Sequence, residues 1–539
     1  MPIALGLKSG GDILSPKKDV CRMFIKVFLL VVFFAITIFV GVYFRKRAQS
    51  VSDFVLGGRS VGLWLTAFSY GATYFSAVVF VGYAGQFGWR FGTAAVWIGL
   101  GNAFIGSLLP WIIIGRRTRV MTHHLKSATM PAFFGSRYMS AALKIAASVI
   151  VFIFLIPYTA SLYNGLSRLF SMAFGVDFIY CILAMAILTA VYVVAGGYFA
   201  SAVNDFIQGT VMLIGIIAVI AVTLSEQGGF LTAIDSLARI EDAAVAPGAY
   251  TSFFGPDPMA LLGVLILTSL GTWGLPQMVA RFYSIKSEKM IAKGAIVSTV
   301  FAAIIAGGCY FLGSFGRLFS DVVEMNPTTG AVVFDSIIPK ILERLPDLVI
   351  GLVVLLVFAA SISTLSSLVL VSASTLTLDF LKGHVVKKMS EKTQLVVVRS
   401  LILVFIVIST IIATIQYTGG ITFIAQLMGI SWGALAGSFL APFLYGLYWK
   451  RATKLSVWCC FIFSTGLMTL NILFQDVFPQ ILQSPINAGA FCMLAGLVIV
   501  PVVSVFTKAP DKAAVEHCFS CYNETVSAKA SEVLPEGGA

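Results

Sequence analysis

Charge is scarce in this sequence. Asp, Glu, Lys and Arg together make up 11% of 539 residues, whereas a soluble globular chain is about one quarter charged. With 58% hydrophobic residues as well, the composition excludes a soluble enzyme, a disordered protein and a nucleic-acid binder. No polar stretch is long enough for a separate soluble domain. Histidine is nearly absent: His123, His124, His384 and His517 all lie between or beyond the apolar runs. A histidine proton relay inside a membrane is therefore not expected. Cys181, Cys309, Cys459, Cys460 and Cys492 sit within apolar runs and read as small core residues, not as a disulfide framework. Cys518 and Cys521, beside His517, fall short of the four ligands that a zinc site needs.

What the sequence has in abundance is long apolar runs. Thirteen reach spanning length, at 23–44, 61–87, 93–114, 143–166, 178–196, 202–224, 258–280, 294–316, 348–378, 400–418, 421–447, 455–474 and 489–507. The expected fold is an all-α polytopic membrane protein of about thirteen transmembrane helices. Basic residues collect in alternate loops. Arg45, Lys46, Arg47 and Arg59 follow span 1, and Arg116, Arg117, Arg119, Lys126 and Arg137 follow span 3. Arg281, Lys286, Lys289 and Lys293 follow span 7, and further groups follow spans 9 and 11. This alternation predicts an outside N-terminus and a cytoplasmic C-terminus. The basic N-terminal residues Lys8, Lys17, Lys18 and Arg22 run against it. The net charge of +12 thus reports orientation in a bilayer, with no nucleic-acid partner.

Two spans are interrupted. Span 2 carries Gly71, Gly82 and Gly85, and span 7 reads Gly271-Thr272-Trp273-Gly274-Leu275-Pro276. Proline inside a helix removes a backbone bond, and the freed groups cannot face lipid. The interruptions lie five spans apart, so spans 2–6 and 7–11 would be corresponding halves. An odd number of spans per half inverts one against the other, which is the inverted-repeat logic of secondary transporters. Gly and Pro are also simply common in membrane helices.

Span 9 contains Ala359-Ala360-Ser361-Ile362-Ser363-Thr364-Leu365-Ser366-Ser367. Ser363 and Ser367 share a helical face, and Ser366 lies near it. Hydroxyl lone pairs and carbonyls at a break suit a hard cation, and small residues equally suit close helix packing. Asp205, near the start of span 6, is the only carboxylate inside the thirteen runs. An acid within the membrane is a functional candidate, and one near a span end also serves as a cap.

The stretches Gly57-Gly58-Arg59-Ser60-Val61-Gly62 and Ala72-Thr73-Tyr74-Phe75-Ser76 resemble the sodium/solute symporter family. So do Asn204-Asp205-Phe206-Ile207-Gln208-Gly209, the Ala359–Ser366 run and Tyr445-Gly446-Leu447-Tyr448-Trp449-Lys450. The resemblance covers about 45–455. It implies a core of two inverted five-helix repeats and sodium-driven uptake by alternating access. The implied organisation is an N-terminal tail and first span (1–44), the symporter core (45–455), two last spans (456–507) and a cytoplasmic tail (508–539). The implied main sodium site is Ala72, Phe75 and Ala360 by carbonyl, with Ser363 and Thr364 by hydroxyl. A second sodium ion, as in some family members, would map to Asp205, Ser363, Ser366 and Ser367. Substrate candidates beside the breaks are Thr73, Tyr74, Ser76, Tyr158, Thr272, Trp273, Gln277 and Gln426.

Sodium/proline symporters carry an Asp in the first break, where this chain has Tyr74, and aromatics in the second, where it has Thr268 and Thr272. The segments Gly196-Gly197-Tyr198, Val203-Asn204-Asp205 and Gly274-Leu275-Pro276-Gln277 look closest to the sodium/pantothenate branch. The expected substrate is therefore a small carboxylate, pantothenate first, with a proline-like amino acid or a sugar as alternatives. A membrane sensor on the same fold would need a signalling domain, and the tail from Lys508 is too short for one. No Ser/His/Asp set, metal cluster or phosphate loop points to an enzyme.

Overall fold

A backbone in lipid must satisfy its own hydrogen bonds, and a chain of apolar runs does so as helices. The computed structural model describes residues 16–44, 50–321, 323–325, 330, 332–386, 388–419 and 424–523. Lys8, the basic cluster Arg45, Lys46 and Arg47, and the tail beyond 523 lie outside them. Within the described residues a helix lies over each of the thirteen runs, and no strand forms. Among the described residues, ten helical stretches are each long and apolar enough to cross a membrane unaided, with spans 2 and 3 counted together in Val78–His124. The first half of span 2, Leu63–Tyr74, is shorter because it stops at the break. Spans 5 and 6 run through Phe178–Glu226 and are separated at Gly197, whose φ of 61° and ψ of −169° suit a residue without a side chain.

Burial separates core helices from lipid-facing ones. The best spanning windows of span 9 (Leu348–Lys382) and span 11 (Ile424–Tyr448) are each 89% buried, against 33% for span 10 (Glu391–Thr418). Span 9 packs on spans 1, 2, 4, 6 and 10, and span 11 on spans 4, 12 and 13. Ile214, Ile217, Ile296, Val300, Val396, Val407, Ile411, Ile462 and Val498 point outward from the peripheral helices. This apolar girdle is the surface that acyl chains would cover.

Several basic residues that read as solvated loop charges are buried caps. Arg59 Nη2 donates to the Ser127 carbonyl at 2.6 Å, and Arg119 Nε to the Ile285 carbonyl at 2.8 Å. Arg137 donates to the Gly446 and Trp449 carbonyls at 2.8 and 3.0 Å, at the end of span 11. Cations there satisfy the last carbonyls of a helix and oppose its negative end. The tail also differs from a plain extension. Its helix Lys512–Ser520 buries Cys518, and Tyr522 donates to the Leu447 carbonyl at 2.8 Å. Arg117 lies over both Tyr448 and Tyr522, 4.0 and 4.5 Å from the ring centres. The described part of the tail is therefore fastened to the basic face of the core.

The reading of Asp205 as the only acid within the spans also changes. Span 9 does not stop at 378 but continues in wide turns to Val385. It carries the buried Asp379 with it, 3.4 Å from Lys144 Nζ and 2.5 Å from the Thr129 hydroxyl. Lys144 is thereby held by that acid.

Candidate functional site

The first break falls at Phe75 and Ser76. Phe75 has φ −108° and ψ 126°, so the chain leaves the helix there, although its N–H still reaches the Gly71 carbonyl at 3.3 Å. The next half-helix must start with unsatisfied N–H groups. Span 9 supplies the partner: Ser361 Oγ accepts from Ala77 N at 3.2 Å while donating to the Val357 carbonyl. Ser361 was not singled out for a role by the sequence, because its value lies in a contact 284 residues away.

Just further along span 9, five oxygens meet. Ser363 Oγ lies 2.8 Å from the carbonyls of both Ala72 and Ala360. Thr364 Oγ1 lies 3.0 Å from the Ala360 carbonyl, 3.2 Å from that of Thr73 and 3.4 Å from that of Ala72. All these residues are buried. The cluster holds no formal charge. Each hydroxyl hydrogen can rotate away and leave lone pairs pointing inward, which is what a hard monovalent cation requires. The structure thus brings Ala72, Ala360, Ser363 and Thr364 together, with Phe75 as the first residue off the adjoining helix.

The residues grouped for a second ion are arranged otherwise. Ser366 Oγ pairs with Ser201 Oγ at 2.9 Å. Ser367 Oγ and Asp205 Oδ2 instead converge on Arg281. Its Nη2 touches Ser367 Oγ, lies 2.5 Å from Thr73 Oγ1 and 3.3 Å from Asp205 Oδ2. Ser69 also donates to Asp205 Oδ2. Arg281 was counted with the loop after span 7, yet it sits in the last turn of Pro276–Ser284 and is buried. Thr73, a substrate candidate, therefore faces this cluster.

The second break carries its own repairs. Span 3 widens at Phe104–Leu108, and such wide turns release carbonyls from the ladder. The Gly106 carbonyl accepts from Tyr70 at 2.9 Å and Thr272 at 2.8 Å, and the Ile105 carbonyl from Trp273 Nε1 at 2.9 Å. Thr272 and Trp273 thus brace span 7 against span 3. A side chain at Gly106 would meet the Tyr74 hydroxyl at 2.1 Å, so glycine admits that ring.

Aromatic rings lie between the two breaks. Tyr74 stacks on Phe75 and faces Trp432, with ring centres 4.3 and 6.2 Å apart, and it donates to the Thr268 carbonyl at 2.7 Å. Tyr158 meets Trp432 edge-on at 5.9 Å. Its hydroxyl faces Ser76 and Trp432. Trp432 also approaches Gly271 so closely that a side chain there would lie 2.5 Å from the ring. Gln277 Oε1 and Ser431 Oγ are buried with no hydrogen-bond partner among the described residues. Buried polar groups are normally paired, so each is a candidate contact for a polar ligand. Trp432 was missed because a lone Trp in an apolar run reads as core. Gln426 is half-buried on the same span.

Interrupted helices that collect oxygens against a hydroxyl-bearing helix define a secondary transporter, and the chain is a multi-pass membrane protein of that class. More specifically, the chain belongs to the sodium:solute symporter family, whose family model matches residues 54–460. Sodium/proline symporters of Staphylococcus aureus strains JH9 and JH1 are each 32% identical over 438 residues, covering 79% of this chain and 81% of theirs. Among solved structures, a Na+-coupled sialic acid symporter superposes with a TM-score of 0.67 at 18% identity, over 91% of this chain and 99% of that one. That likeness supports the fold. Family membership makes the activity sodium-coupled solute transport, with sodium as the coupling ion, and not enzymatic catalysis. The expected pantothenate branch finds no specific support, since these relatives carry the name of proline symporters.

Proposed function

We propose that the chain couples the inward movement of sodium, held by Ala72, Phe75, Ala360, Ser363 and Thr364, to uptake of a small carboxylate with a compact apolar body. The observation that carries this reading is the uncharged cluster of Ser363, Thr364 and the Ala72 and Ala360 carbonyls. Tyr74, Tyr158, Trp432 and Gln277 form the solute's surroundings, apolar in body, with Gln277 Oε1 unpaired among the described residues. A solute carboxylate is accommodated at the positive end of the half-helix that starts at Pro276. A proline-type amino acid stands ahead of pantothenate because of the 32% identical relatives, and both present this chemistry. The basic face, with Arg117, Arg137 and the tail, is taken as cytoplasmic.

One sodium charge moving across 100 mV contributes ~2.3 kcal/mol, about a fifty-fold solute gradient. The test is uptake into proteoliposomes under an inward sodium gradient with a negative interior, comparing L-proline, pantothenate and galactose. Accumulation of proline or pantothenate that needs both gradients is expected. Uptake indifferent to sodium, or surviving both Ser363→Ala and Thr364→Ala, would sink the reading.

A further inference from the structure

A position that already holds a positive charge cannot take a sodium ion until that charge leaves. Asp205 is fully buried, and its Oδ2 faces Arg281 Nη2 at 3.3 Å. The same nitrogen contacts Ser367 Oγ and stands 2.5 Å from Thr73 Oγ1. Thr73 and Ser367 hydroxyls are themselves 3.2 Å apart, so the oxygens form one tight group. Asp205 Oδ1 has no hydrogen-bond partner among the described residues. A buried carboxylate whose other oxygen already takes Ser69 and Arg281 keeps acceptor capacity on Oδ1 that these two donors do not exhaust. The Arg281 stem is long and jointed, and its guanidinium, while it contacts Asp205, also rests 5.1 Å from the Tyr198 ring centre. Tyr198 in turn is held by Ser284 at 2.6 Å. Arg281 and Ser284 lie in the same half-helix of span 7, beyond the second break.

We propose that the Arg281 guanidinium is a tethered cation that occupies the oxygens of Asp205, Ser367 and Thr73 and competes with sodium for them. Sodium then stands at this second position only when the guanidinium withdraws from these oxygens, and the returning guanidinium expels it. This inference rests on the sodium-coupled reading of Ser363 and Thr364, but concerns a different set of atoms one turn along span 9. A guanidinium and a sodium ion cannot share one set of ligands without repelling each other. The affinity of the second position is therefore set by Arg281 as much as by its oxygens.

The test is equilibrium binding of radioactive sodium to the full chain in detergent, without solute and with choline as the replacing cation. Arg281→Gln and Arg281→Met remove the charge, and the methionine keeps an apolar stem against Tyr198 should the glutamine variant fail to fold. Both are expected to bind sodium at the second position about tenfold more tightly than the unmodified chain. Adding Asp205→Asn abolishes that gain. Arg281→Lys, which retains a cation, gains less than the neutral pair. The gain persists in a Thr364→Ala background, where the first site is damaged. Thr364→Ala that leaves sodium binding intact would instead count against the first-site reading. Neutral variants that bind no more sodium than the unmodified chain would overturn the proposal. So would a gain that survives Asp205→Asn, or one equally large in Arg281→Lys.

Discussion

Two polar clusters lie one helical turn apart on span 9, and they are built in opposite ways. Around Ser363 and Thr364 the oxygens are hydroxyls and carbonyls, and no charge is present. Around Ser367 the oxygens include a carboxylate, and a guanidinium is already seated. The first arrangement costs little to bury, because each hydroxyl satisfies a carbonyl when no ion is there. Its hydroxyls and carbonyls satisfy one another without any counter-charge. The second would not be stable empty. A carboxylate fully removed from water needs a counter-charge, and Arg281 supplies it. The comparison teaches that a neutral cluster of oxygens can be buried by itself, whereas a buried carboxylate needs a resident cation.

The largest effect should come from leaving the resident charge alone. Asp205→Asn removes the carboxylate and keeps a buried guanidinium, a change worth ~3–5 kcal/mol when one partner of a buried pair is lost. The thermal midpoint in detergent and the yield of monodisperse protein are expected to fall sharply. Arg281→Gln on top of it should restore most of the loss, since a neutral pair needs no compensation. Asp205→Asn as stable as the unmodified chain would show that the pair is not the counterweight described here.

Next in size is damage to the neutral cluster. Ser363→Ala or Thr364→Ala should weaken sodium binding about ten- to a hundredfold, the range for a disturbed ion-ligand set. Stability in sodium-free buffer should change far less than in Asp205→Asn. A sodium titration of the thermal midpoint reads both quantities together, because a ligand that binds only the folded state raises that midpoint in proportion to its occupancy. Equal loss of sodium-free stability in the two kinds of variant would erase the contrast between the clusters.

Much of the neutral cluster was legible in the sequence, and the charged one was not, for a physical reason. Apolar runs, Gly and Pro inside them and a hydroxyl-rich segment are local signals, and they located both breaks and span 9. The family resemblance then assigned Ala72, Ala360, Ser363 and Thr364, which the fold brings together. Arg281 carries no such signal. It sits in the last turn of a Pro-started half-helix, shortly before Lys286 and Lys289 in the chain, so its neighbours describe a basic loop. Only the fold brings it against Asp205. Trp432 and Gly106 were hidden in the same way. A Trp among apolar residues and a Gly in a membrane helix are ordinary until the second break is laid against them.

A smaller effect is expected at the start of the half-helix after the first break. Ser361→Ala strips Ala77 N–H of its acceptor, and loss of a helix-capping hydroxyl costs ~1 kcal/mol. The half-helix should fray where it adjoins the neutral cluster. A modest loss of sodium affinity should therefore accompany a small fall in thermal midpoint, with the Asp205–Arg281 pair undisturbed. Hydrogen exchange at Ala77 and Val78, faster than in the unmodified chain, is the direct readout.

The smallest effect tests whether a charged cluster behaves differently once water can reach it. In the loop after span 6, Asp242 accepts from Tyr250 at 2.6 Å, from Ala244 N at 3.0 Å and from Arg317 at 3.1 Å. The hydrogen bond from Tyr250 leads in holding its carboxyl below the usual carboxylate range, with the Ala244 N–H and Arg317 adding to it. A carboxylate with a depressed folded value contributes stability that is complete above its unfolded value near about 4 and is lost as pH falls through the lower folded value. Asp242→Asn should therefore lower the thermal midpoint by about a degree at pH 6, since exposed pairs contribute little. The gap from the unmodified chain should close as pH falls through the depressed folded value, where the native carboxylate is protonated as well. Added salt should narrow the gap at pH 6 by screening the Arg317 contact. It should leave the effect of Asp205→Asn unchanged, because that pair is out of reach of water.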